Sequence, residues 1–224
     1  MSLPLCAACT SGPPPFTRAP GVVASPDPGT ATLVVLWPST SCDPGGYVTL
    51  VTADGHFLGN VGPGAQLRTT VPAGETTVLA WNQLMEESGA GVERLTVPVV
   101  RGRLARGLTY YVRVAEGEWD EGGPRELRSW RSGARVCAMT PGRAMTSALE
   151  AVTASTAPPG QLAAWTAELR TLVPDRDAGQ AWLDARHEVV EIHRSLALQR
   201  YDRLRPQGRR MATLEPGDGV PASP

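Results

Sequence analysis

The feature that most constrains this chain is a succession of short β-type runs, each cut off by turn residues, from Ala31 to about Thr140. Ala31–Trp37 (ATLVVLW) is a β-branched and apolar run stopped by Pro38, and Tyr47–Ala53 alternates apolar with polar residues. Asp54-Gly55 then supplies a two-residue turn of the type I′ kind, and His56–Val61 returns from it as a hairpin. Gly62-Pro63-Gly64 and Pro72-Ala73-Gly74 bracket Ala65–Val71, after which Glu75–Asn82, Val92–Val100, Leu108–Val114, Glu126–Trp130 and Ala134–Met139 continue the pattern. Many short strands separated by frequent turns predict an antiparallel sandwich or barrel over residues 31–140.

Outside that span the texture changes twice. Residues 1–30 open MSLPLCAACTSG and continue with Pro13, Pro14, Pro15, Pro20, Pro26 and Pro28 among small and polar residues. Such a segment favours extended conformations and builds no core, so residues 1–30 are expected to be a disordered tether. Its start reads as the end of a bacterial lipoprotein signal: Ala7-Ala8 precede Cys9, and Thr10-Ser11-Gly12 follow. The basic and apolar parts of a full signal are not in the sequence, and Cys6 stands where leucine is usual. On this reading Cys9 is the lipidation site, and several acyl chains hold the protein on a membrane, since one chain binds only marginally. If Met1 is the true start, the alternative is a cytoplasmic protein. Cys6-Ala-Ala-Cys9 lacks the second cysteine pair of a zinc site, and Cys42 and Cys137 are the candidate disulfide. Two buried, unpaired thiols are the simpler alternative for that pair.

Residues 141–160, small, polar and proline-bearing toward the end, read as a linker, and residues 161–206 as a helical hairpin or long helix. Leu162, Trp165, Leu169 and Leu172 form one helical stripe, which Pro174 breaks. Asp177 with Gln180 predicts a capping box opening a second helix, whose apolar stripe is Trp182, Ala185, Val189, Ile192 and Leu196. Leu183, Val190, Ala197 and Leu204 make a second row on the same helix. Residues 207–224 are expected to be a flexible tail. The fold class predicted is therefore mainly β with a C-terminal two-helix appendage.

The order of motifs in the strand region resembles a family of small bacterial β-sandwich lipoproteins, and more loosely PEGA-type surface domains. The residues that carry it are Asp54-Gly55 with Gly59, then Gly64, then Val71-Pro72-Ala73-Gly74-Glu75 with Leu79, and finally Gly107 with Tyr110-Tyr111-Val112-Arg113-Val114. The resemblance spans about residues 31–115. Ala73 replaces a usual proline and Thr77 stands near a usual histidine, so it concerns the fold more than any site. It implies an Ig-like or PEGA-like β-sandwich in the cell envelope, facing the periplasm or the exterior, with no established activity, cofactor or catalytic residue.

Composition and motifs point away from chemistry. A net charge of −1 removes the electrostatic case for a nucleic-acid binder. The nearest metal motif is His187-Glu188-Val189-Val190-Glu191, which lacks the second histidine of a zincin helix, while His193 lies about 240° round the helix. The plainer reading is a solvated helix face with Glu191 and Arg194 paired at i,i+3. The three histidines, His56, His187 and His193, accompany no nucleophile motif, phosphate loop or dinucleotide fingerprint. Arg200, Arg203, Arg205, Arg209 and Arg210 either complement the end of a helix or meet anionic lipid or an acidic partner. Trp37, Trp81, Trp119, Trp130, Tyr47, Tyr110 and Tyr111 offer an aromatic face, with Trp119 and Trp130 the best binding candidates. Adjacent Tyr110 and Tyr111 point to opposite sides of a strand, so at least one belongs to the core. The expectation is a non-catalytic envelope lipoprotein without metal or cofactor. Its partners are a membrane, through the lipid anchor, and an envelope protein, through the late helices. A glycan- or peptide-binding β-sandwich and a metal-dependent hydrolase on the late helix are the alternatives.

Overall fold

The computed structural model describes residues 16–18, 28–37, 47–62, 64–81, 96–117, 119–120, 123–124, 146–152, 157, 160–186, 188, 191, 194–195, 198–199 and 212–221. In chain order the elements are β1 (Thr17–Arg18), β2 (Thr30–Trp37), β3 (Val48–Thr52), β4 (Phe57–Val61), β5 (Ala65–Pro72), β6 (Gly74–Trp81) and β7 (Thr96–Leu104). There follow β8 (Leu108–Gly117), β9 (Trp119–Asp120), β10 (Gly123–Pro124), β11 (Thr146–Val152), α1 (Gln161–Ala167), β12 (Arg170–Pro174) and α2 (Arg176–Asp184). The chain closes with β13 (Ala212–Leu214), the 3-10 turn η1 (Pro216–Asp218) and β14 (Val220–Pro221).

The fold is mainly β, in two large sheets. One runs β1-β12-β5-β2-β8-β11 with β14 also on β8, and the other runs β13-β7-β6-β3-β4. Leu33, Val35, Leu67, Tyr110 and Val112 of the first sheet share one buried cluster with Leu50, Leu58, Val61, Val78 and Val100 of the second. Period-two alternation accounts for this: in β5, Ala65, Leu67, Thr69 and Val71 are buried while Gln66, Arg68 and Thr70 are half-buried. β2 departs from alternation because it is central. Its Thr32, Val34 and Leu36 are as buried as its Ala31, Leu33 and Val35.

Three pairs of strands adjacent in sequence, β3–β4, β6–β7 and β9–β10, pair antiparallel, as expected, but the sheets are mixed. β2 lies parallel to β8, β12 parallel to β5, and β13 parallel to β7. Each parallel pair joins strands far apart in the chain, where the long crossover that parallel pairing requires is available.

The β3–β4 turn also differs from expectation. Gly55 donates its N–H to Thr52 O at 3.0 Å and Thr52 N–H reaches His56 O at 2.9 Å. Gly55 has a φ of 90° and Asp54 has no positive φ, so the loop is not type I′, which needs both central residues left-handed. Gly74 has a φ of 113° behind Pro72-Ala73, and the β3–β4 ladder shifts register beside Gly59.

Four expected boundaries change. Within the expected tether, Phe16–Arg18 is folded, with β1 paired to β12. Within the expected linker, Thr146–Val152 pairs with Tyr111–Gly117 along its full length, because the edge of β8 was open to a further strand. The first helix stops at Ala167, and Leu172, the last residue of its stripe, sits instead in β12 and enters the core at 4% exposure. The edge of β5 overrides the helical period, pairing Arg170–Leu172 with Ala65–Leu67. In the expected tail, Leu214 is fully buried and pairs with Gly102.

The second helix does form from Arg176, but Asp175 is its N-cap, accepting from Ala178 N–H at 3.5 Å, and not Asp177. Its buried face is Gly179 and Leu183; Trp182 is half-buried and Ala185 exposed. Beyond it Glu188, Glu191, Arg194, Ser195, Leu198 and Gln199 are helical.

Candidate functional site

Among the described residues, polar and aromatic side chains gather where the tip of the β3–β4 hairpin meets α2 and the helical residues after it. A hairpin exposes backbone groups at its tip and along its free edge, so β4 needs partners on the side away from β3. Gln180 of α2 provides them: its Oε1 accepts from Phe57 N–H at 2.9 Å and its Nε2 donates to Gly55 O at 3.3 Å. The same Nε2 donates to Asp184 Oδ1 at 3.0 Å. Gly179 lets the helix come this close, since a Cβ there would stand 2.2 Å from Phe57 Cε1.

Around that contact Val51, Phe57, Leu79 and Leu183 form a second apolar cluster, with Phe16, Trp182 and Leu198 packed against it. The chain's two phenylalanines meet edge to face at 6.0 Å, and Phe16 lies 5.8 Å from Trp182. The Arg186 guanidinium sits 4.6 Å over the Trp182 ring.

Charged groups ring the cluster. Arg194 bonds Glu191 Oε2 at 2.6 Å and also donates to Ala53 O. The i,i+3 pair expected from sequence is therefore present, and it commits the Glu191 carboxylate to an arginine. His56 Nε2 lies 3.3 Å from Asp54 Oδ2, both side chains about two-thirds exposed. Burial pushes the Asp54 carboxyl up, but the Thr52 hydroxyl, a backbone N–H and the nearby His56 and Arg194 outweigh it and hold it below the usual carboxylate range. Asp175 is held low chiefly by the hydrogen bond from Arg18, at 2.7 Å.

No three histidine, cysteine, aspartate or glutamate side chains converge as a metal site among the described residues. His187 and His193 lie outside the described residues, as do Cys9, Cys42, Cys137 and Trp130. The backbone of Trp119 is described: it pairs with Pro124 in a two-stranded ribbon. Of the expected aromatic face, Trp37 and Tyr110 belong to the core, at 7% and 0% exposure, while Tyr111 and Tyr47 are half-buried. Burial of Tyr110 meets the expectation that one of the adjacent tyrosines is core.

The roles of Phe16, Gln180 and Tyr110 were not visible in the sequence. Tyr110 Oη accepts from Ala105 N–H at 2.8 Å and donates to Pro216 O at 3.3 Å, tying the C-terminal segment to the β7–β8 turn. One signal did exist for Phe16, which is the single aromatic residue in the first thirty. Compared with known proteins, the chain shows no match to a family model, a curated sequence or a solved structure.

Proposed function

We propose that this chain is a non-catalytic cell-envelope lipoprotein, acylated at Cys9, whose two sheets form an Ig-like or PEGA-like β-sandwich. It acts as a structural or protein-binding module. The observation that supports this reading best is what the polar side chains of the hairpin–helix junction do. Gln180 binds the backbone at Gly55 and Phe57, Arg194 joins Glu191 to Ala53 O, and Asp175 joins Arg18 to the start of α2. Arg176 likewise donates to Thr69 Oγ1 at 2.9 Å and to Thr70 O. These groups hold elements together, as a scaffold requires. A catalytic acid or base instead keeps an atom available to substrate.

The experiment is palmitate labelling of cells expressing the protein from its own locus, with Cys9→Ala beside it. Label in the wild type that is lost in the variant is the expected result. Label retained in Cys9→Ala, or absent from both, overturns the assignment.

A further inference from the structure

We propose that Arg68 and Tyr111, on the outer face of the first sheet, form a binding site for a small organic carboxylate. The site lies apart from the hairpin–helix junction and does not depend on the lipid anchor.

Strand register brings the two side chains to one floor. Val34 of β2 pairs with Arg68 of β5 on one side and with Tyr111 of β8 on the other. Their chain neighbours Leu33, Leu67 and Tyr110 belong to the main core, so alternation turns Val34, Arg68 and Tyr111 to the opposite, outer face. Two strand spacings, about 9–10 Å, separate Arg68 from Tyr111, with Val34 between them. Two long side chains standing either side of one valine can both reach the same carboxylate, in charge-assisted bonds of about 2.5–2.9 Å.

The hydrogen-bonding capacity of both is unused. Arg68 is half-buried and its Nε is sealed from water without an acceptor, and its guanidinium has neither hydrogen bond nor ion pair among the described residues. The other half-buried arginines are engaged: Arg113 lies over Trp165, Arg194 holds Glu191, and Arg101 also has a partner. Glu150 of β11 stands opposite Arg113, three strands away from Arg68. A sealed donor without an acceptor costs stability. An arginine whose one task was to cover Val34 with its stem would send its whole head into water. Tyr111 Oη and Thr70 Oγ1 also make no hydrogen bond among the described residues. Arg176 donates to Thr69 Oγ1 and to Thr70 O, which brings a second positive charge to β5 at this level. A guanidinium fork and a phenol match the two oxygens of a carboxylate, whereas a phosphate carries nearly two charges and three acceptor oxygens.

The test titrates benzoate into the full-length protein at pH 7 and constant ionic strength, following the Arg68 Nε–H resonance by NMR. A saturable shift with a dissociation constant of about 1–10 mM is expected, the range for one ion pair and one further hydrogen bond. Benzamide, which has no charge, should give no saturable shift, and inorganic phosphate should bind more weakly than benzoate. Arg68→Met keeps a stem over Val34 and removes the guanidinium. It should abolish binding, read from the Tyr111 ring signals, and leave the urea midpoint equal or higher, because an unpaired and partly buried charge is gone. Tyr111→Phe should weaken binding about three- to tenfold at an unchanged midpoint, since its hydroxyl has no partner to lose. No saturable shift up to about 50 mM, full-strength binding in either variant, or benzamide binding as well as benzoate overturns the site. A lower midpoint in Arg68→Met makes the arginine a structural group and overturns it too, and phosphate binding as tightly as benzoate overturns the choice of a carboxylate.

Discussion

Replacing Gln180 by leucine should uncouple α2 from the β3–β4 hairpin at a cost that follows from two hydrogen bonds. The Phe57 N–H, half-buried beside the ring cluster, loses its 2.9 Å acceptor, and Gly55 O loses a longer 3.3 Å donor. An unsatisfied buried donor costs about 1–3 kcal/mol and a long, partly hydrated bond well under 1, so the loss should be about 2 kcal/mol. For a chain of this size that corresponds to about 4–8 °C in melting temperature. Urea unfolding gives the free energy, and amide exchange at Phe57 localises it. Gln180→Glu sharpens the argument, since it keeps the acceptor for Phe57 but loses the donor to Gly55 O and places a second carboxylate beside Asp184. Its penalty should shrink as pH falls, because a protonated glutamate regains a donor and sheds the repulsion. If Gln180→Leu lies within about 0.5 kcal/mol of wild type, as an ordinary surface change would, and Phe57 exchange is unaltered, the edge-capping role is refuted.

Gly179→Ala should cost about 1–3 kcal/mol, the usual range for overpacking, because its Cβ would stand 2.2 Å from Phe57 Cε1; a neutral denaturation midpoint would show that α2 does not approach so closely. Tyr110→Phe should cost about 1–3 kcal/mol by stranding Ala105 N–H, and should raise amide exchange through Ala212–Val220 more than in the β2–β5 ladder; uniform exchange changes would contradict the tie to Pro216 O. Asp175 and Asp54 have folded-state carboxyls below their ordinary range, so each adds stability above the unfolded value near about pH 4 and loses it as pH falls through the lowered folded value. Asp175→Asn should flatten that acid limb of the stability profile, and an unchanged limb would refute the Arg18–Asp175 contribution.

Local patterns in the sequence placed several strands, though not the type of the Asp54-Gly55 turn. β2, β4 and β5 lie where turn residues and alternation place them, and Gly74 takes the backbone its turn needs. What could not be read is what long-range pairing decides. Leu172 fits a helical stripe as well as a strand, and only the open edge of β5, about a hundred residues earlier, selects the strand. Thr146–Val152 contains nothing that says linker or strand until the edge of β8 is known. Asp175 and Asp177 are both sound N-caps by composition, and the position of Pro174 in β12 decides between them. The junction at Gln180 was hidden for the same reason: in sequence it fits a capping box with Asp177, and only the fold places Phe57 N–H opposite its side chain.

The central strand explains why the segment after Gly160 is more than an appendage. β2 is TATLVVLW, a nearly continuous apolar run with no polar face to offer water. Such a strand is stable only where both faces are covered. Its inner face meets the other sheet through Ala31, Leu33, Val35 and Trp37. On the outer face Leu36 lies between Gln66 of β5 and Arg113 of β8, and both neighbours reach toward α1 and the strand that follows it. Gln66 bonds Thr166 O at 3.3 Å and Thr171 Oγ1 at 3.0 Å, while the Arg113 guanidinium lies 5.0 Å over the Trp165 ring. On the second sheet, α2 performs the equivalent service for Phe57 and Leu79 through Leu183. One stretch of about twenty-five residues thus covers apolar outer surface on both sheets and extends one of them through β12. Residues past Gly160 therefore pack on strands that precede them on both sheets, and the change of texture near residue 160 is no break in those contacts.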